Sequence, residues 1–226
     1  MDPYDPIERL RERPRLRLGV IGGVFDPIHI AHLVIADEAL HQFGLDEIVF
    51  MPAGNPPHKR RDLAPAELRY LLVGAATAAH PRFSVSRYEI GRKQVGYTVD
   101  TMKHLAGTLA PDARLFLVIG ADAVLDILTW KDPARVLELC TLIAATRPGY
   151  DLSRLSEVLE KLGPGLAVSG PEARVKVMEV PALAISSSII RERLAAGKSV
   201  RCLVPEPVAQ LIQKTGLYST RQAGTA

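Results

Sequence analysis

Two histidines three residues apart, His29 and His32, open a helical pattern that runs to about Phe43. They follow the loop Gly22-Gly23-Val24-Phe25-Asp26-Pro27, which itself follows an apolar run, Leu16–Ile21, of the kind that forms a buried strand. Two glycines, one of them free to take a positive φ, let the backbone turn sharply and come close to a ligand. Pro27 fixes its own φ and holds Asp26 extended, so the chain direction is set before the helix starts. Unpaired amide N–H groups and the positive end of the helix dipole lie beside the two imidazoles. This combination suits phosphate. Zinc is the competing reading of paired histidines, but no Cys, Asp or Glu nearby completes a three- or four-ligand set.

A second phosphate signature lies late in the chain. Ile185-Ser186-Ser187-Ser188-Ile189-Ile190-Arg191 places three hydroxyls at a helix start with an arginine in the next turn. An N-cap accounts for one serine, or two. It does not account for Arg191, whose planar fork can chelate a phosphate held at the same helix end. Between the two signatures stand Met51-Pro52-Ala53-Gly54-Asn55-Pro56-Pro57-His58-Lys59, Gly96-Tyr97-Thr98-Val99-Asp100-Thr101, and Gly120-Ala121-Asp122 leading to Trp130-Lys131.

The elements that would position these residues alternate strand and helix, which predicts a parallel α/β sheet, doubly wound in the Rossmann manner with helices on both faces. Expected strands are Leu16–Ile21, Glu47–Pro52, Phe83–Ile90, Arg114–Ile119, Thr141–Ala145 and Val175–Val180. Expected helices are His29–Phe43, ended by Gly44, then 66–79, Thr98–Ala110, Ala121–Leu128, Pro133–Cys140 and Leu152–Leu162. Ser186–Ala196 and Pro205–Thr215 close the chain as a small C-terminal helical part. Residues 15–218 read as a single domain, with a disordered extension before them (1–14) and a tail after Tyr218 (219–226).

Composition agrees with a compact enzyme. The chain has 226 residues, 47% hydrophobic and 23% charged, enough apolar material for a sizeable core. No apolar stretch reaches membrane-spanning length and no signal peptide is visible, so a cytoplasmic location is expected. Cys140 and Cys202 follow no metal or redox spacing and read as free buried thiols. Arg9, Arg11, Arg13, Arg15 and Arg17 alternate near the N-terminus, and Lys59-Arg60-Arg61 cluster in a loop. Aromatics are only 5% of the chain and none interleaves with the arginines, so a base-stacking nucleic-acid surface is not expected. Nor is a membrane partner. A homo-oligomer is compatible with the sequence.

The first segment resembles the G-[TG]-F-D-P-x-H-x-G-H signature of the nucleotidylyltransferase superfamily, with Val24 where Thr is usual and Ala31 where Gly is usual. The late segment resembles its I-S-S-T-x-[IV]-R signature, with Ser188 for Thr. The three middle segments resemble the P-P-H-K, Y-T-[IV]-D-T and G-A-D…W-[KH] segments of bacterial nicotinate mononucleotide adenylyltransferases, and Pro181–Ser187 looks like their actinobacterial members. Together the resemblance covers about residues 15 to 218.

It implies transfer of AMP from ATP to nicotinate mononucleotide, giving nicotinate adenine dinucleotide and pyrophosphate in NAD biosynthesis, with Mg2+ carried on the ATP. It implies catalytic contacts from His29, His32 and Arg191, and ATP contacts from Gly22, Gly23, Val24, Phe25, Ser187, Ser188 and Asp122. The pyridine nucleotide would meet Lys59, Tyr97, Thr98 and Trp130: the tryptophan stacked on the ring, the helix start at Thr98 binding the carboxylate. Asp26 is expected to hold its loop rather than to do chemistry. The alternatives are a phosphopantetheine or nicotinamide-nucleotide adenylyltransferase, a nucleotide sensor that has lost catalysis, and a nucleic-acid-binding module using the arginines.

Overall fold

The computed structural model describes residues 4–56, 63–92, 94–149, 151, 153–162, 173–181 and 183–219. Six strands, β1 (Arg17–Gly23), β2 (Glu47–Pro52), β3 (Phe83–Val85), β4 (Arg114–Gly120), β5 (Thr141–Thr146) and β6 (Val175–Glu179), form one sheet in the order β3-β2-β1-β4-β5-β6. Every pairing is parallel. This is the doubly wound order, with its switch point between β1 and β4, and ligands bind in such sheets at the carboxyl ends of the strands beside that point.

Each interior strand is apolar on both faces because helices cover both. In β4, Leu115 and Leu117 enter one core and Phe116 and Val118 the other; in β2, Val49 and Met51 oppose Ile48 and Phe50 in the same way. The first core is closed by α1 (Pro6–Leu10), α4 (Thr98–Thr108), α5 (Ala121–Leu125), α6 (Pro133–Leu139) and α7 (Ser153–Leu162). The second is closed by α2 (Ile30–Gln42), α3 (Ala66–Thr77), α8 (Ser187–Ala195) and α9 (Glu206–Thr215). No described helix is long and apolar enough to cross a membrane.

Four expectations need correction. Residues 5–14 are not a solvated extension: Asp5 caps α1, and Ile7 and Leu10 are buried in the first core. Arg9 pairs with Glu47, Arg13 with Asp46, and the Arg17 guanidinium donates to the carbonyls of Phe43 and Gly44. The alternating arginines therefore fasten the N-terminal segment to the start of β2. The third strand ends at Val85, because the Asp5 carboxylate takes the Ser86 hydroxyl (2.7 Å) and the Arg87 N–H (2.8 Å). Cys140 is buried as expected, and burial pushes its thiol up to about 12. Cys202 is exposed, in the turn that enters α9. Of the expected tail, residues 220–226 lie outside the described residues.

Candidate active site

The loop after β1 is built differently from the glycine-hinge expectation. Gly22 and Gly23 complete the strand, and the positive φ falls on Phe25 at +51°. A bulky residue holds that conformation only when its surroundings enforce it. Phe25 is buried against Phe50 and the edge of the His32 ring. Gly23 is needed for a packing reason, since a Cβ there would come 3.0 Å from the Phe25 ring.

Two clefts open at the switch point. The first, about 440 Å³, is lined by His29, Ala31 and His32 from the start of α2, Gly120 and Asp122 after β4, and Ser186 and Ser187 at the start of α8. His29 caps α2 with extended backbone rather than standing in its first turn. The two imidazoles stack at 3.7 Å between centroids. His29 is 6% exposed, and burial lowers its pKa to about 4. Burial, and then the charge of His29, lowers that of His32 to about 3. Both rings are therefore neutral at pH 7. The His29 backbone N–H donates to His32 Nδ1 (3.2 Å), so the neutral His32 carries its proton on Nε2 and is a donor from that atom.

The α8 start faces the same cleft. Ser186 is the residue that caps it, accepting from the Ile189 N–H. Ser187 Oγ donates to the Pro27 carbonyl (2.8 Å), which ties the late segment to the early loop. Arg191 donates to the Asp26 carbonyl (2.6 Å) and to Ser188 Oγ (3.2 Å), and its side chain remains 30% exposed. Arg147, just past β5, is an exposed cation on the rim of this cleft. Its position directly after the apolar run of β5, at the carboxyl edge, was the sequence signal for it.

The second cleft, about 590 Å³, adjoins the first across the ends of β1 and β4. It is lined by Gly22–Val24, Ala53, Glu89, Tyr97–Thr98, Thr101 and Trp130–Lys131. Thr98 opens α4, an eleven-residue helix whose N-cap is Tyr97. Trp130 packs one side on the first core and lines the cleft with the rest. Lys131 reaches Asp100 at 3.1 Å and lies 4.6 Å from the Tyr97 ring centre. Burial raises the pKa of Glu89, against the opposing hydrogen bond from Thr101 Oγ1 (2.7 Å). This cleft thus combines a flat aromatic wall, an apolar floor and a helix N-terminus.

The structure places Tyr97, Thr98 and Trp130 around one cleft, and His29, His32, Asp122 and Ser187 around the other, with Ser188 next to Ser187 and Arg191 one turn on; Gly22, Gly23 and Val24, expected among the ATP contacts, line the cleft of Tyr97, Thr98 and Trp130 instead. Phe25 is a buried support, not a lining residue. Val24 borders the second cleft and Ala31 the first, so both departures from the signature line a cleft. Lys59, with His58, Arg60 and Arg61, lies outside the described residues. Asp26 is 3% exposed and its Oδ1 accepts from Tyr218 Oη (2.6 Å) and the Ala64 N–H (3.3 Å), so it ties its loop to two distant segments. Burial, and then the Asp26 contact, raises the pKa of that tyrosine. Sequence reasoning missed Tyr218 and the buried Arg69, which lie far from Asp26 and Val24 along the chain.

The fold is a doubly wound α/β domain of the nucleotide-binding kind, with two clefts at its switch point. The cytidylyltransferase-like family model matches residues 20–193. A probable nicotinate-nucleotide adenylyltransferase of Moorella thermoacetica is 46% identical over 209 residues, covering 92% of this chain and 94% of the relative. One of Clavibacter michiganensis is 47% identical over 209 residues, covering 92% and 97%. In three dimensions, a Plasmodium falciparum nicotinic acid mononucleotide adenylyltransferase complexed with NaAD superposes with a TM-score of 0.72 at 20% identity, over 90% of this chain and 97% of that one. The chain belongs to the cytidylyltransferase-like family and, within it, to the nicotinate-nucleotide adenylyltransferases.

Proposed function

We propose that this enzyme transfers the adenylyl group of ATP to the phosphate of nicotinate mononucleotide and releases pyrophosphate. The observation that carries the reading is the pair of adjoining clefts at the switch point, one lined by the histidine pair and the α8 start, the other by Trp130 and the α4 start. The names of relatives near 46% identity support the same acceptor.

The attacking group is a phosphate oxygen, already anionic at neutral pH, so neither a protein base nor a covalent nucleophile is required. An oxygen of the acceptor phosphate forms a bond to the α-phosphorus of ATP while the α–β bridging P–O bond breaks, and pyrophosphate leaves with that electron pair. Catalysis then consists of aligning two polyanions and stabilising charge on the α-phosphate and the leaving group. His32 Nε2–H donates to the α-phosphate, with His29 beside it, in a site that needs no reorganisation as charge develops. Ser187, Ser188 and Arg191 hold the β- and γ-phosphates.

In the second cleft Trp130 stacks on the pyridine ring, and the N–H groups at Thr98 receive the nicotinate carboxylate. The neutral amide would offer that site no matching charge. Among the described residues no group of three or more His, Cys, Asp or Glu could hold a metal. Asp122 is the one carboxylate on the donor cleft. That donor set fits a hard cation that arrives on the triphosphate and keeps most of its waters. Bound there, magnesium would offset negative charge on the departing pyrophosphate.

The test is pyrophosphate release with ATP and magnesium, offering nicotinate mononucleotide, nicotinamide mononucleotide and phosphopantetheine in parallel. A strong preference for the nicotinate substrate is expected. Release with phosphopantetheine alone would overturn the acceptor assignment. No release from folded protein that binds ATP would overturn the transfer itself.

A further inference from the structure

We propose that Arg69 is a positioning residue for the transfer, holding the wall shared by the acceptor cleft and the signature loop at the distance the reaction needs. The proposal rests on the adenylyl-transfer reading above.

Arg69 projects from α3 and is 1% exposed, among the largest fully buried side chains. Among the described residues, all its side-chain hydrogen bonds go to main-chain carbonyls. Nη1 donates to Val24 (2.6 Å) in the loop after β1, and Nη2 to Ala53 (2.7 Å) after β2. Nε donates to Ala64 (3.0 Å) on the approach to α3. Burial lowers its pKa, opposed by the nearby Asp26 and Tyr218. A core position of this size needs only an apolar chain, so a guanidinium here answers to the carbonyls. Its planar fork meets the three acceptors from three separate nitrogens in one plane, a spread that the single nitrogen of an ammonium does not match.

Two of those carbonyls belong to residues that line the acceptor cleft, Val24 and Ala53. The third leads to the donor side: the Ala64 N–H donates to Asp26, whose own carbonyl receives Arg191. The link from acceptor wall to phosphate-side arginine thus passes through Arg69, Ala64 and Asp26. Tyr218 closes the same node from the C-terminal segment. Replacing the guanidinium leaves buried carbonyls unpaired, and they recover partners only by moving the loop ends. Movement of about 1 Å at a reacting centre costs on the order of a hundredfold in rate.

The experiment compares Arg69→Lys with the parent enzyme in steady-state kinetics, with circular dichroism and thermal melting as the check on folding. A second variant, Arg69→Ala, is assayed with and without millimolar guanidinium, which fits the space the side chain vacates. The expected result for Arg69→Lys is KM for the acceptor raised about tenfold while KM for ATP moves by less than about threefold, with kcat lowered roughly ten- to a hundredfold. In Arg69→Ala, guanidinium is expected to restore at least tenfold of the lost kcat/KM. A purely structural arginine would lower the melting temperature without separating the two KM values, and guanidinium would not rescue it. Wild-type constants in folded Arg69→Lys, or a loss shared equally by both substrates with no rescue, overturns the proposal. The acceptor preference of the parent enzyme is read separately. An enzyme that prefers another acceptor overturns the reading above while leaving the KM shift for that acceptor as the test of Arg69.

Discussion

Lowering the pH should unfold this protein through its histidine pair, and the size of the effect follows from the burial of His29. Folding moves that imidazole from an ordinary pKa of 6.5 to about 4. The unfolded chain therefore binds more protons than the folded one between those two values. Stability rises with pH across that window, is fully present above about pH 6.5, and is lost as pH falls toward 4. At pH 4.5, a depression of this size corresponds to roughly 2 to 3 kcal/mol for His29 alone. His32, lowered to about 3 by burial and by its neighbour's charge, adds in the same direction. Carboxylates titrate in the same range, so the contribution is isolated by comparing the parent with a His29→Gln, His32→Gln double variant. Urea midpoints measured from pH 7.5 to 4.5 give the assay. The parent should lose on the order of 5 kcal/mol more than the variant over that range. Parallel curves would refute the claim that both rings are held neutral by the fold.

Other substitutions address the site directly. His32→Ala should lower turnover by two orders of magnitude or more in protein that still folds, because the residue lines the donor cleft; a folded variant with normal turnover removes it from the chemistry. Arg191→Lys should raise KM for ATP and lower kcat, since one point charge cannot replace the fork that spans Asp26 and Ser188; unchanged ATP kinetics would confine Arg191 to holding the loop. Trp130→Ala should raise KM for the pyridine nucleotide about tenfold and for ATP far less. The reverse pattern would place Trp130 in the core rather than in recognition.

The parallel sheet was legible because its evidence is local. Apolar runs such as Leu115–Ile119 need no knowledge of their neighbours to read as buried strands, and Gly44, at φ +56°, ends α2 where a left-handed residue was wanted. The residues gathered at the two clefts were legible for a related reason: each follows a strand end, and in a parallel sheet those ends share one edge. What escaped depends on contacts across the chain. Nothing near Phe25 says that it, and not a glycine, adopts positive φ, because the enforcing groups are Phe50 and His32. The short α1 looks like polar, proline-bearing coil until Ile7 and Leu10 are set against the sheet. Arg69 reads as one more helix-surface cation, since two of its three acceptors, Val24 and Ala53, belong to the loops after β1 and β2. Tyr218 meets its partner across 192 positions.

That last bond separates the completion of the sheet from the completion of the site during vectorial synthesis. By Glu179 every strand has been made. A nascent chain of that length carries the whole sheet, yet Asp26 still lacks the hydroxyl of Tyr218, and its carbonyl lacks Arg191. A carboxylate buried to 3% and left short of partners is an unfavourable state. The early loop thus reaches its final form only after the last helix has emerged. A message interrupted just after β6 would lack α8 and α9, which close the second core, as well as Arg191 and Tyr218.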